Sequence, residues 1–195
     1  NRLPTWISLR QDNLSSKALH TGQLQSLLFV DPGSFTVNAP ADVAVTPLVQ
    51  TSHKSGTVMA NTLQMMSPDA VSKQIIPEGK RTITALLTGK FKSAFPDGPP
   101  KTAEEKKKEK DNPPFPPVDG KAAEPAGLKE SRTSSTLIVV ADTDWLLDDY
   151  SVRKVNFFGT QGAEPLNDNL AFASNAVEFL AGSPELISIR GKGTS

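Results

Sequence analysis

Hydrophobic positions in this chain fall into short clusters separated by polar and turn-forming stretches, the rhythm of small strands more than of long helices. Leu24 to Val30, "LQSLLFV", is an apolar run closed by the turn signal Asp31-Pro32-Gly33. In "FTVNAPADVAVTPLVQTS" the pattern alternates around Pro40. Val43, Val45, Leu48 and Val49 mark short extended pieces, and "VTPLVQTS" reads as a strand arriving at a Thr/Ser-rich loop. Arg81 to Phe91, "RTITALLTGKF", mixes β-branched and apolar residues and predicts a buried strand ending at Gly89. The residues Asn61 to Val71, with Met65 and Met66, suit a short helix or a loop equally.

Thr136 to Ala141 is a continuous apolar run rich in Ile and Val, which predicts a strand buried on both faces as in parallel sheets. Leu170 to Leu180 places Leu170, Ala173, Ala176, Val177 and Leu180 at helical spacing. Asn167 or Asp168 can cap its start, and Gly182 suits the left-handed residue that ends it. "ELISIR" then reads as a last short strand. The order strand, irregular helix, capped helix and edge strand predicts an α/β layer architecture. No internal repeat is evident.

Between these halves the composition changes. The segment from Phe95 to Ser135 holds about half of the prolines and the charge run "KTAEEKKKEKDNPP", and it cannot bury enough apolar surface to offset its ordering entropy. Ala103 to Lys110 is a fair local helix former; the Pro-rich ends are extended, and Phe115 among prolines could seat in an aromatic groove. The expected organisation is therefore one α/β domain, residues 1–95 and 136–195, with a flexible Pro/Lys-rich insertion at 96–135.

Composition narrows the function classes. Acidic and basic residues balance at 21 each, which argues against a nucleic-acid partner. The absence of cysteine excludes disulfides, thiolate metal sites and a cysteine nucleophile. No apolar run approaches the roughly 20 residues that span a bilayer, and no signal peptide is visible, so the sequence reads as a soluble piece of a larger protein.

Candidate chemistry concentrates in "VVADTDWLLDD". Asp142 and Asp144 follow an apolar strand, where α/β proteins place ligands, and the D-x-D spacing suggests a magnesium-dependent phosphotransferase with one aspartate as nucleophile. That chemistry also needs a lysine and a further acidic pair on later strand ends, and the remaining fifty or so residues offer no strand ending in an acidic pair. Capping of a helix beginning near Asp144 by Asp142 or Thr143 is the simpler expectation. His20 and His53 lie in polar stretches without metal-ligand spacing and are expected in exposed loops. "TSHKSG" lacks the phosphate-loop pattern and is expected to be a turn. Trp6 and Trp145 are expected in core or rim packing. Lys90 and Lys92 beside Phe91 and Phe95 fit a strand running into a surface loop.

Four segments in order carry a family resemblance: "PTWISLRQDNLSSKALHTGQLQSLLFVDPGSFT", "VTPLVQTSHKSG", "ITALLTGKFKSAFPDGPP" and "STLIVVADTDWLLDDY" with "LNDNLAFASNAVEFLAGSPELISIRGK". The matching positions are Thr46-Pro47-Leu48, Thr51-Ser52, Leu87 to Phe91, Asp142, Asp144, Asn169, Asn175-Ala176-Val177, Leu180, Gly182 and Ile187 to Arg190. Together they resemble the C-terminal part of the extracytoplasmic domain of GldG-like ABC-transporter auxiliary proteins, a family linked to gliding motility. The resemblance implies a Rossmann-like or glutamine-amidotransferase-like layered sandwich with a mainly parallel sheet, here truncated at its N-terminus.

It also implies a bacterial inner-membrane protein whose domain faces the periplasm. That domain would work beside an ABC permease and ATPase, with membrane anchors outside this chain, no catalytic residue and no cofactor. An incomplete sheet would favour self-association. Asp142, Asp144, Asn167 and Asn169 could line a crevice for a ligand or peptide. The leading expectation is thus a non-enzymatic auxiliary domain of an ABC export system. The alternatives are a magnesium-dependent phosphatase using Asp142 and Asp144, and a glycan- or peptide-binding module for envelope polymers.

Overall fold

The chain is seen in a computed structural model that describes residues 3–16, 18, 21, 23–96, 128–157 and 160–182. The expectations for His20, the helix at Ala103 to Lys110, Phe115 and the strand "ELISIR" lie outside the described residues.

Strand β1 (Trp6–Arg10) alternates outward Trp6, Ser8 and Arg10 with inward Ile7 and Leu9. It pairs antiparallel with β2 (Ser26–Val30), Ile7 opposite Phe29 and Leu9 opposite Leu27. Asp31 leaves β2 at φ 49°, a left-handed turn that an aspartate tolerates better than most residues. A second sheet has the order β3 (Val43–Gln50), β4 (Thr82–Gly89), β5 (Ser135–Val140), antiparallel throughout. Pro47 sits in β3, an outer strand of that sheet, beside a register shift between Pro47 and Val49, where a missing N–H is tolerated. Leu14 bridges Val49, and Ser15 N donates to Leu48 O (2.8 Å), so the loop after β1 covers that end of β3.

Between β3 and β4 the undecided stretch resolves into two short helices, α1 (Ala60–Met65) and α2 (Pro68–Gln74). Ser67 caps α2 by accepting from Ala70 N, and Pro68 takes the first helical position. After β5 come α3 (Asp148–Ser151), the hairpin β6 (Val152–Phe157) and β7 (Thr160–Pro165), and α4 (Asn169–Leu180). Gly182 closes α4 at φ +79°, as its position predicts.

The core gathers Leu9, Leu27, Phe29, Leu48, Val49, Ile83, Trp145 and Phe172. Trp145 links its aromatic members: its ring stacks on Phe29 (centroids 6.2 Å apart, planes at 27°) and tilts against Phe172 (5.4 Å, 52°).

Three expectations are corrected. The mainly parallel, Rossmann-like or amidotransferase-like α/β sandwich does not form: every strand pair among the described residues is antiparallel, in sheets of two, three and two strands. The run Thr136 to Ala141 does yield a strand, but one at the margin of its sheet, with Leu137 and Val139 exposed at 45% and 41% while Ile138 and Val140 pack on the core. An unbroken apolar run records no strand direction, and here only one of its faces is covered. The apolar stripe assigned to α4 is also displaced. Ala173 packs on the core as expected, but Leu170, Val177 and Leu180 are exposed, and the fully buried positions are Asn169, Phe172 and Asn175.

Candidate functional site

Of the residues singled out in the sequence, Asp142, Asp168 and Asn169 converge on β2. One edge of that strand is paired with β1; along the other edge the backbone groups of alternate residues meet side chains. Asp168 Oδ2 accepts from Gln25 N (2.6 Å) and Ser26 N (2.9 Å), while Asp168 N donates to Ser26 O (2.9 Å). The Asn169 amide accepts from Leu28 N (3.0 Å) and donates to Leu28 O (2.8 Å), and also donates to Trp145 O (2.6 Å). Asp142 Oδ2 accepts from Val30 N (2.9 Å). The side chains of Asp168, Asn169 and Asp142 thus occupy the place of a neighbouring strand, satisfying an edge that could not be left bare inside the fold.

Asp142 has a second task. Its Oδ1 accepts from Asp144 N (2.7 Å), closing a tight turn that swings Trp145 into the core. The expected helix does not start there. Helix α3 begins at Asp148 with Leu147 at its N-cap, so neither Asp142 nor Thr143 caps it. Asp144 is exposed, its carboxylate meeting Thr143 Oγ1 at 3.3 Å. Asn167 donates to Tyr150 O (2.8 Å) and accepts from Asn169 N (3.0 Å), which fixes the start of α4. Asp168 occupies the N-cap position, yet its carboxylate is spent on β2 and not on its own helix. Among the described residues no group of three or more His, Asp or Glu side chains is arranged to hold a metal ion. His53 is exposed in a turn.

The Thr/Ser-rich loop after β3 makes the expected turn at His53 and also forms a second polar centre. Thr51 N donates to Arg81 O (2.9 Å), and Arg81 N donates to Thr51 Oγ1 (2.8 Å), locking the end of β3 to the start of β4. The Thr51 and Ser55 hydroxyls are hydrogen-bonded to each other, and Ser55 Oγ reaches Gly79 O (2.8 Å). Gly56 lies so close to the chain at Ile76 that a Cβ there would stand 2.0 Å from the Ile76 carbonyl oxygen.

This folded loop walls a cleft of about 290 Å³ that also takes in the β2 turn and α1. Ile7, Val58, Leu63, Ile75 and Ile83 supply apolar wall; Asp31 and Arg81 are its charged residues. Arg81 pairs through Nη2 with the Glu78 carboxylate, both side chains partly exposed. Its Nε is buried without a hydrogen-bond partner among the described residues. Nothing in the local pattern of "TSHKSG" signals this cleft, because its walls come from segments some 20 to 50 residues apart.

No helix among the described residues is long and apolar enough to cross a membrane. A family model described as an ABC-type uncharacterized transport system matches residues 1–176. No curated protein and no solved structure matches the chain.

Proposed function

The chain belongs to the ABC-type uncharacterized transport system family, and we propose that it serves such a system as an auxiliary domain that engages other components or cargo without carrying out a reaction. The observation that carries this reading is the family match over residues 1–176, nine-tenths of the chain. The hydrogen bonding of Asp142, one of the two catalytic candidates in the sequence, supports it. Both oxygens of Asp142 accept from backbone N–H groups, which ties this carboxylate to β2 and to the turn before Trp145.

The finer reading rests on the ordered motifs. It places the domain on the periplasmic side of a bacterial inner membrane, in a GldG-like protein linked to gliding motility, in contact with the permease and ATPase of its system. Its test is affinity purification of the full-length protein from membranes in mild detergent, with mass spectrometry of what accompanies it. Stoichiometric recovery of an ABC ATPase and a polytopic permease is expected. Recovery of the protein alone, with neither subunit enriched over a mock control, would overturn the reading.

A further inference from the structure

We infer that the outer edge of β5 is the docking site of this chain's own segment Leu186 to Arg190, which adds to it as a further strand. This inference does not depend on the transporter reading and is tested on the chain alone.

Ala141 N donates to Ile83 O (2.9 Å), which fixes the alternation of the antiparallel ladder between β4 and β5. Leu137 and Val139 therefore turn their backbone groups to β4, and Thr136, Ile138 and Val140 turn theirs to the opposite side. Those outward groups have no hydrogen-bond partner among the described residues. Natural edges are guarded by lysine, proline or a bulge, because a bare one pairs with other chains. The opposite margin of this sheet is guarded. In β3, Pro47 and a register shift interrupt the ladder, and Leu14 and Ser15 cover one end. The sequence of β5, "STLIVV", holds neither charge nor proline. Its core-side residues Ile138 and Val140 are only partly buried, so the core is also unfinished along this margin.

The chain carries a strand that fits the place. Helix α4 starts beside the carboxyl end of β5: Asn169 donates to Trp145 O and holds Leu28, and Asp142, two residues past β5, holds Val30 in the same strand. From there Phe172 packs on Trp145, and Ala173 packs on the cluster that includes Ile138 and Val140. The helix thus crosses β5 towards its amino end. Its 12 residues advance about 18 Å, and the 6 residues of β5 about 20 Å, so α4 ends level with the start of that strand. Gly182 closes the helix at φ +79° and Pro184 bars its continuation, so "LISIR" follows after a connection of ordinary length. The segment then runs in the same direction as β5. Its residues alternate as the site requires. Ile187 and Ile189 extend the core face of Ile138 and Val140, while Leu186, Ser188 and Arg190 share the other face with Leu137 and Val139. Arg190 also brings to the new edge the charge that β5 lacks.

Amide hydrogen exchange and NOE spectroscopy on the 195-residue chain test this. The amides of Thr136, Ile138 and Val140 should exchange at least about a hundredfold more slowly than unpaired amides, with cross-strand NOEs to residues 186–190. Ile187→Pro combined with Ser188→Pro removes adjacent N–H groups that point to opposite sides, which disables the strand whichever side faces β5. In that variant the protection of Thr136, Ile138 and Val140 should be lost, while Leu137 and Val139, bonded to β4, keep theirs. Retained protection at those two positions separates an undocked segment from an unfolded sheet; where both are lost, the NOEs of the parent chain decide. Fast exchange of Thr136, Ile138 and Val140 in the parent, protection with NOEs to another segment, or protection unchanged in the double variant would overturn the inference. Isotope-filtered NOEs between the β5 strands of two copies would overturn it in favour of self-association.

Discussion

The side-chain amide of Asn169 grips both backbone groups of Leu28, accepting from its N–H and donating to its carbonyl as a neighbouring peptide unit would. The same amide donates to Trp145 O, so one fully buried residue joins α4, β2 and the turn after β5. Asn169→Ala strands three buried polar groups, each costing about 1 to 3 kcal/mol when unmet. A loss of about 3 kcal/mol or more in urea unfolding is expected. Asn169→Asp should do no better, because its carboxylate would face two carbonyl oxygens. A change below about 0.5 kcal/mol for either would show that the strand edge is satisfied in some other way.

Asp142 and Asp144 should separate cleanly. Asp142→Asn keeps one acceptor oxygen where two are in use, and a cost of about 1 to 2 kcal/mol is expected. Asp144→Asn alters an exposed side chain and should stay within about 0.5 kcal/mol of the parent. Magnesium should leave the unfolding midpoint unchanged. A magnesium-dependent rise that both substitutions abolish would instead put an ion between these carboxylates and revive a phosphotransfer role.

Two glycines of the cleft region differ for geometric reasons. A Cβ at Gly56 would collide with the Ile76 carbonyl, whereas Gly79, at φ +104°, has nothing within 4 Å of where its Cβ would lie. Gly79→Ala should cost about 1 kcal/mol of backbone strain. Gly56→Ala must push two chain segments apart, and its expected cost is above about 3 kcal/mol, read as a fall in thermal midpoint or in soluble yield. Equal effects of the two would contradict the close approach.

Helix α4 offers a test of which face is inside. Phe172 is fully buried against Trp145, so Phe172→Ala should cost about 3 to 5 kcal/mol. Val177 is 66% exposed, so Val177→Ala should lie within about 0.5 kcal/mol of the parent in the same denaturation series.

That helix also shows where sequence reading stops. Its limits and its closing Gly182 were legible because local capping chemistry writes them. Its inner face was not. Asn169 is buried by bonding to a strand some 140 residues away, and no local pattern marks an asparagine for that purpose. The strands were legible for a similar reason: β-branched runs and turn residues delimit β2, β3, β4 and β5 closely. Their direction depends on which segments meet. The apolar run of β5 suggested a parallel neighbour that the antiparallel register with β4 replaces. Asp142 was found as a notable residue from its place after a strand, but its partner, Val30 N, lies in a segment that gives no hint of the pairing.

The ladder of β4 and β5 runs on past the strands themselves: Ser131 N donates to Phe91 O (2.9 Å) and Ser93 N to Lys129 O (2.8 Å). Two ends that far into the connection are therefore clasped before the Pro- and Lys-rich stretch is reached. For a stretch closed at its base in this way, each doubling of length costs only about 0.6 kcal/mol in chain entropy. The clasp makes this point in the chain indifferent to length, so that stretch can lengthen, shorten or carry a graft while the register of the sheet behind it stays in place.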